Sequence, residues 1–164
     1  MRPPLHLIEW PGPGRLATMA RPPGGDELAG AMAALASAGV HVLVSALCEH
    51  ETVLLDLRDE ATVAARAGLE LISFPIPDGY VPAPETMPAL EKLVDQLADE
   101  MRADRFVVTH CFAGIGRSSM LAGATLVRLG LAPDKAWRLI RAARQAPVPD
   151  SPRQESWLYD FAGR

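Results

Sequence analysis

VVTHCFAGIGRSS, residues 107 to 119, begins as an apolar strand pattern and ends as the start of a helix pattern. Gly114 and Gly116 let the intervening chain curl, so that several backbone N–H groups can point into one cup. A helix that begins at the end of such a loop adds the positive end of its dipole. The stretch therefore predicts an anion-binding loop between a strand and a helix.

Cys111 and Arg117 stand at the two ends of this loop. The residues between them are Phe112, Ala113, Gly114, Ile115 and Gly116. In a curled loop that spacing brings the sulfur under the cup and the guanidinium over its rim. The N–H groups would stabilise a thiolate, and Arg117 offers a planar fork for two phosphate oxygens. Ser118 could cap the helix, hydrogen-bond the sulfur, or do both. A buried structural cysteine and a surface ion-pair arginine are the plainer alternatives.

Outward from this loop, apolar strand patterns alternate with helical patterns. Two short strands are predicted in LHLIEW and RLATMA, and buried strands at residues 40–47, 69–74 and 105–110. Helices are predicted after a possible N-cap at Asp26 as far as residue 38, mainly throughout 49–67, at 85–102, from Ser118, at 133–143 and at 151–162. This alternation predicts an α/β fold with a central, mostly parallel sheet flanked by helices, as one domain over residues 1–164.

Composition excludes several other classes of protein. The formal net charge of −4 gives no reason to expect nucleic acid as a partner. The two cysteines form no CxxC pair and the four histidines show no metal-site spacing, so we expect no metal and no cofactor. Residues 28–48 carry no Asp, Glu, Lys or Arg, but their Ala-rich first half favours a helix followed by a strand over a membrane span. The N-terminus has prolines where a signal peptide needs an apolar run, so we expect a cytoplasmic protein.

A proline-rich segment, PIPDGYVPAP at residues 75–84, lies between a predicted strand and a predicted helix. It is too rich in proline for regular structure and long enough to be a working loop. Its Asp78 could be a functional acid, although Asp-Gly after proline is also a turn signal. Asp150, in the similar context VPD, competes with Asp78 for such a role.

Three stretches together resemble one family. HCFAGIGRS (110–118) resembles the HCxxGxxRS signature of the cysteine-dependent protein tyrosine and dual-specificity phosphatases. FPIPDGYVP (74–82) resembles the general-acid loop of their small members and places Asp78 33 residues before Cys111. VPDSPRQ (148–154) resembles the region where bacterial relatives carry a water-positioning glutamine, here Gln154. The similarity runs from about residue 16 to 159. The chain departs from the family at Ser119, where many members have glycine, and lacks the length of the large tyrosine-specific enzymes.

The resemblance implies a phosphatase that acts on phosphomonoesters through a phosphocysteine. Cys111 would be the nucleophile and Arg117, with loop residues 112–116, would bind the phosphate. Asp78 would be the general acid and then the base, and Ser118 would ease departure of the thiolate. His110 would order the loop. Gln154 would orient water, unless it is only a polar residue on an exposed helix.

The substrate and two rival functions stay open at this point. No Lys or Arg stands among the variable loop positions Phe112, Ala113 and Ile115, which favours phosphotyrosine in a protein or a small aryl phosphate over a highly charged headgroup. Phosphoserine, phosphothreonine, small metabolites and nucleotides are the alternative substrates. The rivals are a rhodanese-like sulfurtransferase and a phosphoprotein-binding module without catalysis. Cys48 could form a redox disulfide with Cys111 or be a small apolar residue at a strand end.

Overall fold

The computed structural model describes the whole chain, Met1–Arg164. Five strands form one sheet in the order β1-β2-β5-β3-β4. All neighbouring strands are parallel except β1, which pairs with β2 in antiparallel fashion. The strands are β1 His6–Leu7, β2 Arg15–Met19, β3 Val42–Ser45, β4 Glu70–Ser73 and β5 Phe106–His110. The predicted α/β fold with a mostly parallel sheet is confirmed.

Helices cover both faces of this sheet. They are α1 Leu28–Ser37, α2 Glu49–Leu54, α3 Glu60–Arg66, α4 Met87–Arg102, α5 Arg117–Arg128, α6 Pro133–Arg144 and α7 Pro152–Ala162, with short 3-10 helices at Gly25–Glu27 and Pro84–Thr86. None of these helices has the length and apolarity needed to cross a bilayer.

Side chains that alternate along the central strands divide the core in two. Val107 belongs to the larger cluster, which contains buried residues of α4, α5, α6 and α7. Its neighbours Phe106 and Val108 belong to the smaller cluster, with residues of α1 and α3. This period of two is the one that a strand buried on both faces must show, and it explains why β5 reads as a continuous apolar run.

Residues 49–67 are mainly helical, as predicted, but they form two helices, α2 and α3, with a break between them. The segment after α2 does not continue as a helix over 49–67, because Asp56 takes a positive φ of 55° and its carbonyl oxygen accepts the Gly25 N–H at 3.0 Å. The same contact holds the chain before α1. Asp26 lies inside the 3-10 helix, so it is not the N-cap of α1, which begins at Leu28 without a side-chain cap.

The strand predicted as buried at residues 69–74 is an edge strand. β4 pairs only with β3, and Glu70 and Ser73 are exposed. Its apolar residues Leu71 and Ile72 are half-buried. An apolar run of this length fits either an internal or an edge position, so sequence pattern alone did not separate the two.

The site is positioned by the adjacent central strands β3 and β5. They are parallel, and their last residues, Ser45 and His110, are register partners. Ala46 then donates its N–H to the His110 carbonyl at 2.9 Å. The segments that follow the two strands therefore meet at the carboxyl edge of the sheet, where ligands bind in open parallel sheets.

Candidate active site

The loop between β5 and α5, residues 111–116, has its N–H groups free and several of its carbonyls bound. None of the N–H groups of residues 112–116 donates to an acceptor in the protein. The Phe112 carbonyl accepts the backbone N–H of Arg21 at 3.1 Å, and the Gly114 carbonyl accepts Nε of Arg144 at 3.3 Å. Unpaired amides beside a helix N-terminus are the donors that an anion needs.

Gly114 is required by the way this loop packs. It takes a φ of +73°, in the left-handed region that favours glycine. A Cβ at this position would stand 2.7 Å from the Met19 carbonyl carbon and 2.8 Å from the Ala20 nitrogen. The loop can therefore lie against the end of β2 only because residue 114 has no side chain.

Cys111 lies at the base of the loop and contacts Ser118. Cys111 is only 3% exposed, and its Sγ is 3.3 Å from the Ser118 Oγ. Ser118 is not the N-cap of α5, because Gly116 occupies that position and the helix begins at Arg117. The backbone of Ser118 is fixed by Thr109, whose Oγ1 donates to the Ser118 carbonyl at 2.8 Å. The hydroxyl is thus left to interact with the sulfur.

Arg117 is buried and held in one orientation. Its NH1 and NH2 groups donate to the two Glu51 carboxylate oxygens at 2.7 and 2.9 Å, and NH1 also donates to the Ile76 carbonyl at 2.9 Å. Burial alone would lower the pKa of Arg117, but the hydrogen bonds to Glu51 and the nearby Cys111 sulfur outweigh it and raise the pKa. The guanidinium is therefore a fixed cation beside the loop.

Glu51, which the sequence analysis missed, is the main partner of Arg117. It lies in α2 after β3, is buried, and also accepts the Cys48 N–H through Oε1 at 3.0 Å. Burial opposes its charge, but the bonds from Arg117 and Cys48 prevail and lower the pKa of Glu51. A glutamate at the third position of a helix that follows a central strand is the signal that could have indicated it.

Asp78 and Asp150 line the same cavity as the loop. This cavity of about 360 Å³ is bounded by Asp78, Gly79, Cys111, Phe112, Ala113, Gly116, Arg117 and Asp150. The Asp78 side chain is 72% exposed, and its Oδ1 lies 3.3 Å from NH2 of Arg117. Burial, and next the charge of Asp78, raise the pKa of Asp150. Sharing one cavity, the two carboxyls remain rivals for the acid role.

Gln154 is fully buried, so the interpretation as a polar residue on an exposed helix face is wrong. Its Oε1 accepts the Asp150 N–H at 3.0 Å, and its Nε2 donates to the Tyr80 carbonyl at 3.1 Å. The side chain thus ties the start of α7 to the loop that carries Asp78. The Tyr80 side chain itself points outward and is 60% exposed.

His110 supports the start of the loop and does not line the cavity, and both its ring nitrogens have partners. Nδ1 lies 3.1 Å from the Cys111 carbonyl oxygen, and Nε2 lies 2.6 Å from Oε1 of Glu60. Both side chains are buried. Glu60, at the start of α3, was not indicated by any motif in the sequence.

Arg21 places a positive charge at the rim of the loop, although loop residues 112–116 include no Lys or Arg. Its guanidinium carbon lies 4.0 Å from the centre of the Phe112 ring, and NH1 donates to the Phe112 carbonyl at 3.3 Å. Such a contact between a cation and an aromatic face is favourable. The absence of Lys and Arg from the loop therefore did not mean that the rim has no positive charge.

Cys48 and Cys111 are both free thiols. Burial raises the pKa of Cys48, with the charge of Glu51 as the next cause. No three His, Cys, Asp or Glu side chains are grouped as metal ligands would be.

Comparison with solved structures identifies the fold. A kinase associated phosphatase whose catalytic cysteine is replaced by serine superposes with a TM-score of 0.88 at 17% identity, covering 99% of this chain and 96% of that one. The active form of Tk-PTP gives a TM-score of 0.72 at 24% identity, covering 94% and 99%. Human DUSP28 gives 0.68 at 24% identity, covering 99% and 95%. At these identities the likeness establishes the fold.

Sequence comparison identifies the family. Cyclin-dependent kinase inhibitor 3 of Rattus norvegicus is 28% identical over 89 residues, which are 53% of this chain and only 41% of that protein. A family model described as "Tc-R-P: Polymorphic toxin system, DSP-PTPase phosphatase" matches residues 17–131, well over half of the chain. The chain therefore belongs to this family of cysteine-based phosphatases of the dual-specificity type.

Proposed function

We propose that this protein hydrolyses phosphomonoesters, above all phosphotyrosine in proteins, through a phosphocysteine intermediate, with phosphoserine and phosphothreonine as further substrates. The observation that carries the proposal is the set of five N–H groups, residues 112–116, that have no acceptor in the protein. In the sequence they lie between Cys111, which is buried, and Arg117, whose guanidinium is held by Glu51. An array of fixed donors around a nucleophile stabilises the charge of a phosphoryl group during transfer.

The hydrogen bonds of Arg117 determine which of its donors are left for phosphate. A guanidinium has five N–H donors. Glu51 and the Ile76 carbonyl take both donors of NH1 and one of NH2. The remaining donors are Nε and the second N–H of NH2, which Asp78 approaches at 3.3 Å. We infer that two phosphate oxygens accept from this pair, and that Asp78 exchanges its contact with Arg117 for one with the leaving group.

In the first step, the Cys111 thiolate attacks phosphorus and the bond to the leaving oxygen breaks. Asp78 donates its proton to that oxygen, while Arg117 and the loop amides bind the non-bridging oxygens. Asp150, whose pKa is raised, is the alternative donor. Asp78 is favoured because it alone of the two contacts Arg117.

In the second step, water attacks the phosphocysteine and the thiolate departs. Asp78, now ionised, accepts the proton of the water. The Ser118 hydroxyl, 3.3 Å from the sulfur, donates a hydrogen bond to the departing thiolate. Gln154 has bonds to Asp150 and Tyr80, so we propose that it braces the acid loop against α7 in addition to any contact with water.

The depth of the sulfur supports an aryl phosphate as substrate. Cys111 is 3% exposed, so only a phosphate on an extended group reaches it. Phe112 lines the cavity and is partly exposed although Arg21 lies against its ring, and exposed Tyr80 follows the cavity residue Gly79, so aromatic surface is available near a flat substrate. The matching family model and the kinase associated phosphatase are both described as phosphatases, so a rhodanese-like sulfurtransferase and a non-catalytic binding module are not favoured.

The central test is hydrolysis of an aryl phosphate by the Cys111→Ser variant, with Cys48→Ser as the matched control. We expect Cys111→Ser to lose all measurable turnover while its far-UV circular dichroism and melting temperature match those of the parent. Cys48→Ser should retain turnover, because Cys48 lies outside the loop. Turnover by folded Cys111→Ser protein at the parent rate would refute the proposal.

A further inference from the structure

We propose that Glu60 is a positioning residue that acts through His110 on the Cys111 nucleophile, by keeping a proton on the imidazole and so raising the fraction of Cys111 that is thiolate. The inference rests on the proposed function of Cys111 and goes beyond it, since Glu60 lies outside the cavity where substrate binds. Three groups form a continuous hydrogen-bonded series: the Glu60 carboxylate, the His110 ring and the Cys111 carbonyl.

The proton positions in this series follow from the chemistry of the atoms. A carbonyl oxygen only accepts, so Nδ1 of His110 must carry a proton to bond the Cys111 carbonyl. Nε2 lies 2.6 Å from Oε1 of Glu60, so one further proton lies between these two atoms. That proton resides either on Nε2, which gives an imidazolium and a carboxylate, or on Glu60, which leaves both groups neutral.

Because His110 and Glu60 are buried, the position of this proton affects the charge felt by the Cys111 sulfur. The side chains of His110 and Glu60 are 0% and 4% exposed, so water screens their charges little. An imidazolium at His110 would place a positive charge on the residue next to Cys111, where it favours the thiolate form of Cys111. A carboxylate within hydrogen-bond distance compensates such a buried charge, and Glu60 is the one that contacts His110. Glu60 is therefore the group that allows His110 to be charged.

One other charged residue shares a cavity with Glu60. Glu60 borders a second cavity of about 170 Å³, together with Thr52, Leu57, Arg58, Ser45 and Ser73. Arg58 is the only other charged residue that lines it. On the far side of Cys111 lies the Arg117–Glu51 pair, which is a salt bridge in its own right. The cavity that Glu60 lines shares no residue with the cavity that contains Cys111 and Arg117.

The test uses Glu60→Gln in a Cys48→Ser background, and measures alkylation of Cys111 by iodoacetamide as a function of pH. Glutamine retains a hydrogen bond to Nε2 but cannot stabilise an imidazolium. At pH 6 we expect alkylation to slow about tenfold, which is the change in thiolate fraction for one pH unit. The acidic limb of the kcat/KM profile for an aryl phosphate should move to higher pH by about one unit. Arg58→Gln, in the same cavity without contact to His110, should alter neither profile.

His110→Asn provides a second variant, and together the two form a double-mutant cycle. If Glu60 acts through His110, adding Glu60→Gln to His110→Asn should slow alkylation no further. A Glu60→Gln protein with a lower melting temperature but unchanged pH profiles would overturn the proposal and make the pair purely structural. Additive losses in the cycle would also overturn it. Alkylation is measured without turnover, so a wild-type protein with a reactive thiol but no hydrolysis would contradict the proposed function and leave this inference standing.

Discussion

Replacing Glu51 by alanine removes the carboxylate that accepts hydrogen bonds from both NH1 and NH2 of Arg117. Arg117 is only 1% exposed, so its charge would lose its main partner without gaining water. The Ile76 carbonyl would remain as an acceptor at 2.9 Å, and Asp78 would remain at 3.3 Å. The Cys48 N–H, which Glu51 also accepts, would be left unpaired.

The magnitude follows from these contacts. Removing one partner of a buried ion pair costs about 3–5 kcal/mol. Because the Ile76 and Ala46 carbonyls and the Asp78 carboxylate remain near Arg117, we expect the lower end, about 3 kcal/mol in the free energy of unfolding. For a chain of 164 residues, each kcal/mol lowers the melting temperature by about 2–4 °C, so the expected fall is about 6–12 °C. Loss of orientation at Arg117 should also raise KM for an aryl phosphate, since the guanidinium binds the phosphate in the ground state.

Equilibrium unfolding in urea, followed by circular dichroism, measures this free energy. Glu155→Ala is the matched control, because Glu155 forms a 2.8 Å ion pair with Arg141 in which both side chains are about 40% exposed. An exposed pair of this kind contributes about 0–1 kcal/mol. If Glu51→Ala destabilised the protein no more than Glu155→Ala, the claim that Glu51 holds Arg117 in place would be refuted.

Two further predictions concern protons. The pKa of Glu51 is lowered in the folded protein. The ionised Glu51 therefore stabilises the fold above its unfolded-state pKa of about 4.3, and this stabilisation is lost as the pH falls below that value. In urea titrations, the difference in the free energy of unfolding between wild type and Glu51→Gln should shrink below about pH 4. Asp78→Asn should slow an alkyl phosphate by about 10²–10⁴-fold and an activated aryl phosphate much less, because only the poor leaving group needs a proton. If Asp150→Asn shows that leaving-group pattern in steady-state assays and Asp78→Asn does not, the acid is Asp150.

The parts of the molecule that sequence could predict are those set by local pattern. The strand preceding Cys111 and the glycines that follow it lie within one continuous stretch, so their spacing alone predicted a strand, a loop and a helix. The apolar positions of α4 recur at helical spacing, and Leu90, Val94 and Leu97 are all buried as expected.

The residues that sequence missed reach the loop from distant parts of the chain. Glu51 is 66 residues from Arg117, Glu60 is 50 from His110 and Arg21 is 91 from Phe112. Each contact exists because parallel strands bring their carboxyl ends to one edge, which juxtaposes segments that no motif links. Which polar residue after each strand turns inward depends on the final packing, and a single sequence does not encode that in any local signal.

The charges around the loop indicate what kind of force binds the substrate. The positive charge of Arg117 is already matched by Glu51 in a two-point ion pair. Asp78 and Asp150 add two carboxyls to the same cavity, so its side chains carry no excess of positive charge. Attraction of a phosphate must then come mainly from the unpaired loop amides and the two donors of Arg117 that Glu51 and Ile76 do not take, which act at hydrogen-bond distance, with Arg21 as the one further cation at the rim. Such a site selects a phosphate that enters fully and disfavours a second phosphate near the carboxyls, so shape and hydrogen bonding, more than net charge, define its substrate.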